Sequence, residues 1–218
     1  MNTEDLRLAV YRAFAAGRFP TIATLALELR AMPDQVRTGL ITLSLGRHVV
    51  LDSTGAILMA HPFSAVPQGF AVMGKDVLWW GGCAWDSFAL PHLLPEQAPV
   101  LVSTRCPACD RPHVWNVSDQ EPPEGDQVAH FLVPVANMWD DVVRTCAHQR
   151  IFCSEACVDN WTASAGRTKG EVLDLPTLWR LAEHWYDGRL QRGYRRRDPA
   201  ESAQYLREVG LTGAFWGS

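Results

Sequence analysis

No stretch of this 218-residue chain approaches the ~18 consecutive apolar residues of a membrane-crossing helix, so the sequence predicts no such span. Nor does one sign of charge dominate. Twenty Lys and Arg stand against 24 Asp and Glu, and a net charge of −4 gives no general pull toward nucleic acid or an anionic lipid surface. The opening Met1-Asn2-Thr3-Glu4-Asp5 is acidic and lacks the basic and apolar regions of a secretory signal. The expectation is a cytoplasmic protein, where six cysteines serve as thiols or metal ligands rather than as disulfides. Internal repeats and low-complexity tracts are absent too. What is present is ample material for a core, with 47% apolar residues and nine Trp. The length suits one large or two small domains.

Helical periodicity marks the first third of the chain. Leu6, Ala9, Val10, Ala13 and Phe14 recur at helix spacing and stop at Gly17. Thr21 or Thr24 can open a second helix bearing Leu25, Leu27 and Leu29, and Pro33 a third bearing Val36, Leu40, Ile41 and Leu43. Residues 48–51 and 56–59 then read as a hairpin about Asp52-Ser53-Thr54-Gly55. Three helices and a hairpin give a winged-helix-like domain over residues 1–60. With six Arg and five acidic residues there, the basic footprint of a DNA reader is missing, and a packing module is the expectation. Residues 61–218 form the second domain. Strands are expected at 70–73, 100–103, 112–117 and 130–134, and helices at 155–163, 175–186 and from Pro199 to about Val209. The fold class is α+β, with a mixed or antiparallel sheet and flanking helices.

The chemistry lies in the cysteines. In Trp79-Trp80-Gly81-Gly82-Cys83-Ala84-Trp85-Asp86, a thiol and a carboxylate three residues apart share a face if the segment is helical. That sets a soft metal ligand beside a proton carrier. Read singly, Cys83 is a buried small hydrophobe among tryptophans and Asp86 a first-turn acid. A second thiol, Cys146, follows in Arg144-Thr145-Cys146-Ala147-His148, with Cys153 only seven residues on as its competitor. Cys106-Pro107-Ala108-Cys109 and Cys153-Ser154-Glu155-Ala156-Cys157 form another set, spaced for a four-cysteine zinc site of treble-clef type. A redox role for Cys106 and Cys109 is the rival reading. His61 could orient a pocket and His148 could assist Cys146, although loop histidines are usually exposed. Arg189, Arg192, Arg195, Arg196 and Arg197 read as a solvated basic loop.

Taken together, Cys83-Ala84-Trp85-Asp86, Thr145-Cys146 with Phe152 and Ser154, Thr104-Arg105-Cys106, and the segment from Met59 to Pro67 resemble the organomercurial (alkylmercury) lyase family. The resemblance extends to about residue 165, with Cys-x-x-Asp its most specific part. It implies protonolysis of a carbon–mercury bond, with Cys83 and Cys146 holding the mercury and Asp86 carrying protons. It also implies no organic cofactor, a small organometallic substrate, and a thiol carrier or reductase to receive the product metal. The full set of Cys106, Cys109, Cys153 and Cys157 is not expected of the best-known lyases. Two other functions therefore stay open: a zinc-stabilised sensor or carrier of soft metals without turnover, and an enzyme of the same fold with a non-mercury substrate.

Overall fold

Short polar side chains open the first two helices, and a proline the third, in this computed structural model, which describes residues 1–217. α1 (Thr3–Ala15) begins where the Asn2 side chain accepts from the Glu4 amide. α2 (Ile22–Leu29) opens with a reciprocal capping box between Thr21 and Thr24. α3 (Pro33–Leu45) places Pro33 in its first turn, where an absent N–H costs no hydrogen bond. Leu6, Val10 and Phe14 of α1 are buried with Leu25, Val36 and Leu40 of the other two helices.

A turn then forms in which the Asp52 carboxylate accepts from the Thr54 and Ala56 amides at 2.8 and 2.9 Å. It joins β1 (Val50–Leu51) to β2 (Ile57–Ala60). β2 also pairs with β3 (Phe63–Ser64), Met59 lying opposite Ser64. The hairpin is therefore one edge of a seven-stranded sheet rather than a free-standing wing. The other strands are β4 (Phe70–Met73), β5 (Leu78–Gly81), β6 (Val100–Arg105) and β7 (Pro112–Val117), in the order β1-β2-β3-β5-β4-β6-β7. All of the pairings in it are antiparallel. Between β5 and β6 comes α4 (Ala84–Leu93), buried along its length from Ala84 to Pro91. Its buried face carries Asp86 and Ser87 as well as apolar side chains, and α4 packs on β4, β5 and β6.

A smaller antiparallel sheet has the order β10-β8-β9, from β8 (Val128–Phe131), β9 (Gln149–Phe152) and β10 (Glu171–Asp174). α5 (Val142–Ala147) leads into β9, and α6 (Glu155–Ser164) follows it. α7 (Leu175–Glu183) packs on α4, and α8 (Pro199–Glu208) closes the regular structure, capped by Asp198 and Glu201. Mixed helix and antiparallel sheet is thus the architecture. Some boundaries differ from the sequence expectation. β8 ends at Phe131, before Pro134, which has no N–H for a ladder. α7 ends at Glu183, where the backbone leaves helical geometry at His184. No helix of the described residues is long and apolar enough to cross a membrane.

Candidate active site

β5 delivers the chain to α4 through Gly81-Gly82, and the two glycines are required by space. A Cβ on Gly82 would collide with the Asp86 carboxylate, and one on Gly81 with the Ser87 hydroxyl. Cys83 comes next with extended backbone (φ −164°, ψ −172°), and its sulfur accepts from the Asp86 amide at 3.4 Å. The expected shared helical face is therefore realised differently. Cys83 caps the helix from outside its first turn, and capping rather than helical stacking brings it to Asp86.

The Asp86 carboxylate is 1% exposed, and both of its oxygens are engaged. His61 Nδ1 stands 3.0 Å from one, and the Tyr186 hydroxyl donates to the other. From the opposite side α5 brings Cys146, its helix started by Asp141 and braced by the Thr145 hydroxyl on the Met138 carbonyl at 3.0 Å. Ligand atoms of His61, Asp86 and Cys146 all lie within 4.8 Å of one another. Cys83 lines the same cavity of about 70 Å³. His61 Nε2 is buried in it without a hydrogen-bond partner among the described residues.

Burial and charge divide the labour between the thiols. Burial pushes the Cys83 thiol well above its ordinary range, and the neighbouring Cys146 and Asp86 add to the rise. Cys146 is drawn down to about 7, because the Cys83 thiol hydrogen-bonds to it and His61 lies beside it, against the cost of burial. Burial alone would lower His61, but the Asp86 charge and Cys146 lift it to about 10. Burial would likewise raise Asp86, yet His61 and the hydrogen bonds from His61 and Tyr186 hold it below the usual carboxylate value. Cys146 is thus the more readily ionised of the two thiols, Cys83 keeps its proton more firmly, and Asp86 and His61 favour each other's charged forms. Arg189, 4% exposed, reinforces the frame by donating to the His61 carbonyl and the Tyr11 hydroxyl, both at 3.0 Å.

An alkylmercury lyase (MerB) family model matches residues 63–187, more than half of the chain. The chain belongs to the alkylmercury lyase family. Lyases of this family cleave carbon–mercury bonds, and that is the activity of this protein. Its fold is similar to that in the crystal structure of the mercury-bound form of MerB2. The two share 17% identity and a TM-score of 0.66, over 87% of this chain and 91% of that one. No curated protein matches the chain.

Within the lyase, the remaining cysteines form a separate group. Cys106 and Cys109 follow β6, Cys153 follows β9, and Cys157 lies in the first turn of α6. All four sulfurs lie within 4.8 Å of one another, and Cys109 approaches Cys153 at 3.4 Å. Burial would raise Cys106, but backbone amides of Cys153, Ala108 and Cys109 turned toward its sulfur bring it to about 7. Such a set could hold a soft ion. Cys153 also meets His113 Nε2 at 3.4 Å.

Several site residues carry little or no sequence signal. His61 has two readings in the sequence, a pocket-orienting residue or an exposed loop histidine; it is 5% exposed and faces Asp86, in line with the first. Tyr186, 100 residues from Asp86, belongs to no motif. Arg189 departs from the solvated loop expected of the basic cluster, whereas Arg192 and Arg195 remain exposed and pair with Asp5 and Glu201. His148 turns its Nδ1 to the Arg144 carbonyl at 2.7 Å and packs on Trp161, outside the cavity.

Proposed function

We propose that this lyase cleaves organomercurials by protonolysis, with Cys83 and Cys146 as mercury ligands and Asp86 as proton carrier. The observation that carries the reading is the convergence of both sulfurs and the carboxylate on one buried cavity. Mercury(II) is soft and prefers thiolate to oxygen or nitrogen ligands. The Cys146 thiolate attacks first and displaces the substrate's labile ligand. Cys83 binds next, and metal coordination acidifies its thiol enough to pass the proton to Asp86. Two thiolates then push electron density onto the mercury and weaken its bond to carbon. The proton moves from Asp86 to carbon as the carbon–mercury bond breaks, releasing R–H and leaving mercury(II) on two sulfurs. Because His61 and Tyr186 favour the ionised carboxylate, protonated Asp86 is a strong acid at the moment of transfer. Oxidation states do not change, and no organic cofactor is called on. A dithiolate-bound product needs a thiol carrier or reductase to remove it.

The second cysteine group we read as a structural zinc site of Cys106, Cys109, Cys153 and Cys157. Four sulfurs within 4.8 Å suit tetrahedral thiolate ligation, as do backbone amides turned to Cys106. Bound there, zinc would tie β6 and β9 together at their ends. We read residues 1–60 as a winged-helix-like packing module and residues 61–218 as the catalytic domain, the two joined by the β2–β3 pairing. We place the protein in the cytoplasm, without nucleic acid as partner. Incubating purified protein with phenylmercury and excess thiol tests the catalytic reading. Benzene in the headspace is expected; stoichiometric mercurial binding with no benzene would overturn turnover in favour of a sensor or carrier.

A further inference from the structure

The cavity holding Cys83, Cys146 and Asp86 has room for a mercury atom and a methyl-sized group, but not for an arene. Its volume is about 70 Å³, whereas a site of roughly 150 Å³ is the scale that admits benzene. Any larger organic group must leave by one side. A second cavity of about 480 Å³ adjoins it there, and Trp85, Met138, Trp139, Trp185 and Arg196 line both. That volume falls within the range of small-molecule pockets.

Three of the shared walls are tryptophan rings, which offer flat apolar surface for stacking. The charge of the outer cavity has one sign. Arg47, Arg196 and Arg197 line it, and no acidic side chain does. Arg197 is occupied, donating to the carbonyls of Trp185 and His184 at 2.7 Å. Arg47 and Arg196 have no carboxylate partner among the described residues; both guanidinium groups lie over the Trp139 ring, at 5.4 and 4.4 Å. Arg196 spends a single N–H on the Arg47 carbonyl at 3.2 Å. By contrast Arg195, the residue before it, pairs through both terminal nitrogens with the Glu201 carboxylate and also donates to the Arg196 carbonyl at 3.3 Å. Two guanidinium groups left without counter-ions beside an aromatic wall are arranged for a planar anion, since the guanidinium fork matches carboxylate geometry.

We propose that the outer cavity binds the organic group of the substrate and favours arylmercurials that carry a carboxylate on the ring. The ring lies among Trp85, Trp139 and Trp185, and the carboxylate meets Arg47 and Arg196. The proposal rests on the lyase reading for its route to the thiols, but the cavity's preference for an aryl carboxylate can be measured without mercury chemistry.

The test compares 4-(chloromercuri)benzoate with phenylmercury in the full-length protein, following release of benzoate and benzene. The wild type is expected to have the higher kcat/KM for the carboxylate substrate. The ratio of the two values should fall about tenfold in Arg47→Asn/Arg196→Gln, and Arg196→Lys should restore part of it. Asn suits position 47, where φ is +57°. A ratio unchanged by the double substitution overturns the proposal. In parallel, calorimetry with mercury-free 2-naphthoate and uncharged 2-naphthamide should show saturable binding of the acid alone, weakened in the double variant. Equal affinity for acid and amide, or none for either, also overturns it. If neither mercurial is cleaved, the lyase reading has failed, and the calorimetry still decides the cavity's specificity.

Discussion

Replacing Asp86 by Asn keeps the shape of the site and removes its proton carrier. The Asp86 carboxylate is buried and takes hydrogen bonds from His61 and Tyr186. An amide can still accept from Tyr186 through its oxygen, but it cannot take a proton from Cys83 or give one to carbon. General acid catalysis by a positioned side chain contributes about 10²–10⁴ in rate, so hydrocarbon release should slow by that factor, or about 3–5 kcal/mol in barrier. The cost in stability should be smaller. Removing one member of a buried ion pair ordinarily costs about 3–5 kcal/mol, because the other charge is left alone. Here His61 has an escape. Asp86 is the chief cause lifting it to about 10 against a burial effect that favours the neutral ring. Without Asp86 burial favours the neutral ring against the remaining pull of Cys146, and the expected loss is about 1–3 kcal/mol for weakened hydrogen bonds. For a chain of this length that corresponds to a fall of about 3–10 °C in Tm. Gas chromatography of headspace benzene from phenylmercury measures the rate, and mercury content after desalting measures binding. Full mercurial binding with release slowed at least a hundredfold is expected. Asp86→Asn turning over at the wild-type rate would refute the proton-carrier role.

Cys146→Ala should abolish hydrocarbon release, whereas Cys153→Ala should lower Tm and leave the purified folded fraction active; the reverse pattern would make Cys153 the second reactive thiol. Metal analysis should find about one zinc per chain, and a chelator should lower Tm; protein that is folded, active and indifferent to chelation would exclude a structural ion. Gly82→Ala should reduce turnover by displacing the Asp86 carboxylate that its Cβ would strike, with little change in circular dichroism, and wild-type kinetics would show that the carboxylate can move freely. The hydrogen bonds of Arg7 hold the Glu4 carboxyl down at about 2, from an ordinary 4.5. Its contribution is therefore present above about 4.5 and lost as pH falls toward 2. Glu4→Gln should lower stability by about 1–3 kcal/mol at pH 7 and converge with wild type in acid, and a gap independent of pH would refute that assignment.

Much of the local structure follows from rules that act within one helical turn or one hairpin. The Thr21 and Thr24 capping box, Pro33 at a helix start, the Asp52 turn and the Asp198-Pro199 helix opening each depend on residues four or fewer apart, and each is legible in the chain. The Cys83-x-x-Asp86 element belongs to this class, although its geometry is a cap rather than a helical face. The sequence also brings the two cysteine pairs into view, since ligand spacing in a knuckle is itself local. Tertiary structure decided the rest, and sequence distance is the reason. His61 and Tyr186 reach Asp86 across 25 and 100 positions, and Arg189 reaches the His61 carbonyl across 128. No periodicity extends that far, so a histidine before a proline could be assigned to a pocket or to the surface, and an arginine in a basic run looked like surface. Their burial depends on α4, buried on every side, with α7 and the loop after it folded across its first turn. The six thiols likewise divide by topology: β9 separates Cys146 at one end from Cys153 at the other, and only the small sheet determines which neighbours each one meets.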